Sequence, residues 1–343
     1  MTTTEAPNQT QLERRALGAL RGLSLGDALG MPTQSMSHTA IADAYGTITG
    51  LNDAIAEQPI APNMAAGWVT DDTEQALIVA QLIGDGNGHI DPHDFAERLL
   101  AWEDDIKARG SLDLLGPSTK LALDQVRHGA DISTTGKTGT TNGAAMRVTP
   151  VGIANPSTDP ALLAERIHES CRVTHNTTPG FQSAALIATA VSLGMDGRNA
   201  HEALTMALDM VEEMDAPGAW SPKANVVTRA RLALKYADHS VEPDETHFLN
   251  RLRAECGTSV ESNESVAAAF ALAWRHADQP IQALFSAAAI GGDTDTIAAM
   301  TGGMLGAAAG PDAFPTELTD QVARVSGISL EPVAHTLVKL RLK

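Results

Sequence analysis

An all-α fold is what this 343-residue sequence predicts, and three observations lead there. Apolar residues recur at helical spacing along most of the chain. Strand-type alternation is hard to find anywhere. Hydrophobic residues make up 43% of the chain but aromatics only 3%, so Ala, Leu, Ile, Val and Met must build the core. Such a core suits closely packed helices better than a sandwich of strands, where β-branched and aromatic residues dominate.

The elements follow in order. Residues 1–10 are polar and read as a disordered tail, with no apolar stretch of the kind a secretion signal needs. Leu12, Ala16, Leu20, Leu23 and Ala28 then recur at helical spacing across residues 11–29. Residues 31–67 contain Pro32, Pro59, Pro62 and several glycines, and read as a long loop with a short helix around 41–45. A loop this long inside a compact domain is more often functional than decorative. Helices are expected over 72–83, 92–108 and 118–127. The stretch 129–141 is rich in Gly, Thr and Ser and reads as a loop. Helical patterns then cover 143–154, 160–172, 178–194, 199–213, 223–236, 263–276, 279–289, 294–309, 317–325 and 331–342. No internal repeat, linker or charge shift marks a boundary, so residues 11–343 read as one compact domain.

The formal net charge of −18 argues against general nucleic-acid binding, which needs a basic face. It still permits a small phosphorylated ligand, because N–H groups at helix starts hold phosphate without Lys or Arg. Acidity also serves solubility alone. The two cysteines, Cys171 and Cys256, imply no disulfide framework and no zinc-finger spacing, so a reducing, cytoplasmic setting is expected. The longest apolar stretch, 297–310, is too short and too Gly-rich to cross a bilayer, and no membrane partner is expected.

Two acidic clusters stand just ahead of helical runs. Thr70-Asp71-Asp72-Thr73-Glu74 is one; Gly291-Gly292-Asp293-Thr294-Asp295-Thr296 is the other. Each is also an ordinary helix start, since acids there cap free N–H groups and suit the helix dipole. Together they offer four carboxylates and several Thr hydroxyls with no Cys or His. Such hard oxygen ligands suit Mg²⁺, Mn²⁺ or Ca²⁺ rather than zinc. Four carboxylates brought together would repel, and two cations would resolve that charge. The paired glycines allow positive φ and close backbone approach to a ligand. Three further motifs have bland alternatives. Thr141-Asn142-Gly143-Ala144-Ala145-Met146-Arg147 opens a helix after a flexible loop; it suits phosphate or a plain N-cap at Asn142. Val173-Thr174-His175-Asn176 carries a lone His of the sort that is usually structural. Gly22-Leu23-Ser24-Leu25-Gly26-Asp27-Ala28-Leu29-Gly30 reads as a close helix-packing face and lacks the Gly-Lys pair of a phosphate-binding P-loop.

In this order, the five motifs G-D-A-L-G, T-D-D-T, N-G-A-A-M-R, T-H-N and G-G-D-T-D-T resemble the ADP-ribosylglycohydrolase family. That family includes dinitrogen-reductase-activating glycohydrolases, mammalian ADP-ribosylhydrolases and J-type lens crystallins. The resemblance runs from Ala16 to Ala309. It implies an all-α fold with a binuclear metal cleft, with Thr70, Asp71, Asp72, Asp293, Asp295 and Thr296 as metal ligands. It implies two divalent cations, Mg²⁺ first and Mn²⁺ as the alternative. Asn142, Gly143, Ala144 and Met146, with Thr141, would line a pyrophosphate and ribose pocket, and His175 would sit near the diphosphate. Gly116-Pro117-Ser118-Thr119 is similar to a glycine-bearing turn beside the cleft, which puts Gly116 and Ser118 among the ligand contacts. Many relatives carry a Glu in the loop after G-D-A-L-G. Here that loop reads Gly30-Met31-Pro32-Thr33-Gln34, and Gln34 offers a carbonyl oxygen but no base.

The expected activity is hydrolysis at the anomeric carbon of a ribose, through an oxocarbenium-like transition state. Asp72 or Asp293 would take the proton from the attacking water. The partner would be an ADP-ribose-containing small molecule or an ADP-ribosylated macromolecule. The rival readings are a non-catalytic ADP-ribose or nucleotide binder and a crystallin-like structural protein.

Overall fold

A computed structural model describes residues 7–109 and 115–343. The first six residues of the expected tail lie outside the described residues, and helix begins two residues earlier than the periodicity suggested. Asn8 is the reason. Its side chain accepts from the Gln11 N–H at 3.0 Å, and the Gln11 side chain accepts from the Asn8 N–H at 2.8 Å. This reciprocal box satisfies two otherwise free donors at the helix start.

Seventeen α-helices follow among the described residues: α1 (Gln9–Gly30), α2 (His38–Tyr45), α3 (Asp71–Asp85), α4 (Pro92–Ala108), α5 (Pro117–Arg127), α6 (Gly143–Met146), α7 (Thr149–Ala154), α8 (Pro160–Cys171), α9 (Thr178–Met195), α10 (Ala200–Glu213), α11 (Val226–Ala237), α12 (Glu245–Arg251), α13 (Ser262–Arg275), α14 (Pro280–Ala289), α15 (Thr294–Ala309), α16 (Thr316–Ser326) and α17 (Glu331–Arg341). The all-α expectation therefore holds, and the described residues form no strand. Only isolated bridges join extended backbone, at Met36–Gly292, Thr141–Glu261 and Thr177–Ala219. Among the described residues, no helix is long and apolar enough to cross a membrane.

Two helices make the centre. Every residue from 179 to 195 in α9 and from 294 to 308 in α15 is buried. Their small side chains allow this, because Ala and Gly let neighbouring helices approach closely. The α1–α15 contact is the tightest. A Cβ on Gly22 would sit 2.1 Å from the Gly302 carbonyl oxygen, and one on Gly26 would sit 2.2 Å from that of Ala298. At Gly30 it would lie 2.4 Å from the Asp295 Cα. The Gly22-Gly26-Gly30 face is thus a packing face, as its spacing suggested, and it sets the last turn of α1 against the acidic start of α15.

Three boundaries differ from expectation. The run over 143–154 is two helices, because Pro150 lacks an N–H and its ring excludes the carbonyl one turn earlier. The chain breaks at Arg147-Val148 and restarts as α7. The helix expected from 223 begins at Val226, where the Asn225 side chain accepts from the Thr228 N–H at 2.9 Å. Helix α12 was not anticipated; it is seven residues long and passes into a π-helical turn, Leu252–Cys256.

A candidate metal and ligand cleft

The acids of T-D-D-T and G-G-D-T-D-T start α3 and α15, so capping is the first function to test. Neither helix start carries a side-chain cap bond. At α3 the free donors are satisfied from outside, by Asp27 in the last turn of α1. Its carboxylate accepts from the Thr70 N–H at 3.0 Å, the Thr73 N–H at 3.0 Å, the Thr70 hydroxyl at 2.7 Å and the Thr73 hydroxyl. Asp27 is fully buried, and burial pushes its carboxyl up to about 6. Asp27 thus caps α3 from outside that helix. The sequence reading did not include Asp27 among the site residues. Its signal was a lone carboxylate among Leu23, Leu25 and Ala28, where an unpartnered acid would be costly.

The other acids converge in front of it. Asp72 is fully buried and Asp295 is 2% exposed. Oδ1 of each is buried and has no hydrogen-bond partner. Asp72 Oδ2 accepts from the Thr296 hydroxyl at 3.2 Å, a bond between the two clusters. Burial, then the charges of Asp71, Asp295, Asp27 and Asp293, push the Asp72 carboxyl well above the usual range. Asp295 is raised in the same way, by burial and then by Asp293, Asp71 and Asp27. Asp293 is pushed up to about 6 by burial. It accepts from the Asn142 side-chain amide, whose other donor reaches the Ser265 hydroxyl at 3.0 Å. Asp71 accepts from the Gln75 amide at 3.3 Å. Carboxylates this close raise one another's pKa, and such perturbed groups cluster at functional sites.

A cavity of about 280 Å³ opens onto this cluster. Its wall includes Gln34, Asp71, Gly116, Thr141, Asn142, Gly143, Met146, Asp293, Asp295 and Thr296, with Ile60, Leu115 and Val260 as its apolar part. Thr70, Asp72, Ala144 and His175 stand behind the wall, and Ser118 lies beside it, one residue from wall residues Pro117 and Thr119. The paired glycines behave differently from expectation. Gly291 and Gly292 have φ of 84° and 87°, so positive φ is required. The close approach, however, is to other backbone: a Cβ on Gly292 would sit 2.3 Å from the Thr258 carbonyl oxygen. The Gly292 carbonyl accepts from the Ser35 N–H at 2.7 Å, which ties the Gln34 loop to the start of α15.

The sequence profile of the ADP-ribosylglycohydrolase family matches residues 8–343. The chain belongs to this family. It is 30% identical to Escherichia coli protein YegU over 95% of this chain and 97% of that one. It is 26% identical to the Pseudomonas putida ADP-ribosylarginine hydrolase Tri1, over 90% of this chain and 74% of that one. A solved ADP-ribosylglycohydrolase-related protein complex shares the fold, with a TM-score of 0.66 at 22% identity, covering 97% of this chain and 99% of that one. This ADP-ribosylglycohydrolase is accordingly a hydrolase of glycosidic bonds by family.

Two other places in this ADP-ribosylglycohydrolase invite a ligand and answer to simpler causes. His89, Glu165 and Glu169 bring three metal-type atoms within 4.8 Å. The Arg166 guanidinium already sits there, 3.1 Å from Glu165 and 2.8 Å from Glu169. A larger hollow of about 510 Å³ is lined by His201, His239, Trp274 and His276. Each imidazole there is engaged: His201 to the Trp274 carbonyl at 3.0 Å, His239 to that of Arg275 at 3.1 Å, and His276 to Glu245 at 3.0 Å. The four cleft aspartates contribute no group of three ligand atoms within 4.8 Å of one another.

Proposed function

We propose that the cleft hydrolyses the glycosidic bond at the ribose of an ADP-ribose-like ligand, with two oxygen-liganded divalent cations, Mg²⁺ first and Mn²⁺ as substitute. One observation carries this reading: of four acids at the starts of two helices, Asp72 and Asp295 are buried with Oδ1 unpartnered, and the neighbouring aspartates' charges raise both. The residues present fit such a group. The donor set is all oxygen, which selects hard cations. The unpartnered Oδ1 atoms of Asp72 and Asp295 are buried and await a positive partner. Four carboxylates carry more charge than one divalent ion offsets, so two ions are expected. Thr70, Asp71, Asp72, Asp293, Asp295 and Thr296 would hold them. When bound, such cations neutralise the acids, orient ribose hydroxyls and lower the pKa of a water.

The chain's own residues do the rest. Asp293 lines the cavity and is held by Asn142, so it is placed to take the proton from the attacking water. Asp72 lies behind the wall with a Thr hydroxyl on one oxygen, the position of a ligand holder. Asn142, Gly143, Met146 and Gly116 all line the cavity and would contact the ribose and pyrophosphate. The Gln34 amide nitrogen is buried and unpartnered at the wall. A neutral amide there donates to a ligand oxygen and gives no counter-charge to a cationic leaving group. The preferred leaving group is therefore an oxygen rather than a guanidinium, in contrast with the ADP-ribosylarginine named for Tri1.

The test is release of ADP-ribose or ribose from ADP-ribosyl-arginine, ADP-ribosyl-serine peptide, O-acetyl-ADP-ribose and simple ribosides. Turnover is expected with Mg²⁺, to stop with EDTA and to return with added Mg²⁺ or Mn²⁺. Full turnover in metal-stripped protein would overturn the reading.

A further inference from the structure

We infer that His175 is a positioning residue, and that a one-way chain of hydrogen bonds from Arg147 through Thr174 and His175 turns the Thr141 hydroxyl into a donor aimed at an anionic oxygen of the ligand. The inference rests on the cavity taking an ADP-ribose-like ligand, whose phosphates supply that oxygen.

The direction of the chain follows from what each group can do. Arg147 is fully buried, and a guanidinium only donates. It is fixed on one side by the Gln75 side-chain oxygen at 2.8 Å and lies over the Phe95 ring, 5.0 Å from its centre. On the other side it donates to the Thr174 hydroxyl at 2.6 Å. Thr174 is fully buried and has one hydrogen to place. Besides Arg147, its hydroxyl has one partner among the described residues, His175 Nδ1 at 2.8 Å. A hydrogen on Nδ1 would strand the Thr174 hydrogen in the interior, where an unmade bond is costly. Thr174 therefore donates, Nδ1 accepts, and the ring hydrogen belongs on Nε2.

Nε2 faces the Thr141 hydroxyl at 2.9 Å. Thr141 accepts there, so its own hydrogen points elsewhere. The hydroxyl has no other hydrogen-bond partner among the described residues, and Thr141 lines the cavity. A charged ring would put a hydrogen on Nδ1, strand the Thr174 hydrogen and add a second buried cation beside Arg147. Burial and that same Arg147 charge push His175 well below its ordinary pKa, which keeps it neutral. The ring also packs close to the Gly143 backbone: a Cβ there would lie 2.9 Å from His175 Cε1. The buried charge of Arg147 polarises each successive bond and strengthens the last donor.

Two measurements on the full chain test this. The first is ¹⁵N–¹H correlation of the histidine rings in the ligand-free protein. His175 is expected as the neutral Nε2–H form from about pH 6 to 8, the range where an ordinary imidazole titrates. The Nδ1–H form or an imidazolium would overturn the chain. The second is ADP-ribose affinity with Mg²⁺ present. Thr141→Val removes a bond to a charged acceptor and should weaken binding about tenfold. Thr174→Val should weaken it about threefold, and Thr141→Val/Thr174→Val no further than Thr141→Val alone, because Thr174 acts only through Thr141. Additive losses would overturn the inference. If wild type fails to bind ADP-ribose, the ligand reading fails while the ring spectrum still decides the direction of the chain.

Discussion

Gln34 shows what one atom decides. Its amide nitrogen is buried at the cavity wall with no partner, and its backbone carbonyl is held by the Gln58 amide at 3.0 Å. The backbone at Gln34 is therefore held, and a substitution there changes the chemistry of one cavity-lining side chain. Gln34→Glu adds a carboxylate beside Asp71 and Asp293. Turnover of an ADP-ribosyl-arginine substrate should rise severalfold, measured as released ADP-ribose, while oxygen-linked substrates lose rate. Equal rates on every accepted substrate would place Gln34 outside the reaction. Several site residues were legible as types: paired acids with threonines and no soft ligand say hard cation before any fold is known. Asp27 and Arg147 were not, because each contacts residues far along the chain. Asp27 meets Thr70 and Thr73, and Arg147 meets Gln75 and Thr174. Only the packing of α1 on α3, and of the 143–154 region on both, creates those pairs. His175 was legible as a residue of interest, yet its place behind Thr141 and Gly143 could not be read from T-H-N alone.

At the scale of elements, the pair α1–α15 holds the cleft in register. Gly26 faces the Ala298 carbonyl so closely that a methyl group has no room, and its neighbour Asp27 caps α3. Gly26→Ala should cost about 3 kcal/mol by overpacking and should also weaken metal binding, because Asp27 and Asp295 shift with the helices. Gly50 is the control: a Cβ there meets nothing within 4 Å. Gly50→Ala should change stability by less than about 1 kcal/mol, read from denaturant midpoints. Equal effects would mean the helices can separate without disturbing the site. Helical periodicity made most of these elements legible. It failed where backbone chemistry outranks periodicity, as at Pro150 in the first turn of α7. Over 31–67 the expected loop and short helix are found, with α2 at His38–Tyr45, and side-chain bonds give the loop its order. There the Gln58 side-chain oxygen accepts from the Ile60 N–H at 2.6 Å, and its amide donates to the Met31 carbonyl at 3.3 Å.

At the scale of the whole molecule, the buried acids tie folding to pH and to metal. Asp27 and Asp293 are pushed up to about 6, and Asp72 and Asp295 lie well above the usual range. A group whose folded pKa is raised stabilises the fold while protonated, and that contribution is lost as pH rises through the folded pKa. His175, pushed down, acts with the opposite sign, but only as pH falls below the ordinary imidazole value of about 6.5. Four raised acids outweigh the one lowered imidazole, so metal-free protein should lose thermal stability as pH rises from about 4 to about 6, and Mg²⁺ should flatten that slope. A metal-free melting temperature that climbs across this range would show the acids ionise without strain.

The most direct test of the metal cleft uses Asp295→Asn, which keeps the shape and removes one charge from the cluster. Melting curves of wild type and variant are recorded with and without Mg²⁺ at about pH 7.5, where the unfolded acids are fully ionised. Wild type should gain stability with Mg²⁺. Asp295→Asn should melt as high as wild type or higher without metal, gain little from Mg²⁺, and lose turnover by orders of magnitude. If Mg²⁺ shifts neither protein and the two melt alike, the acids of α3 and α15 are not a metal site, and the account is contradicted at its centre.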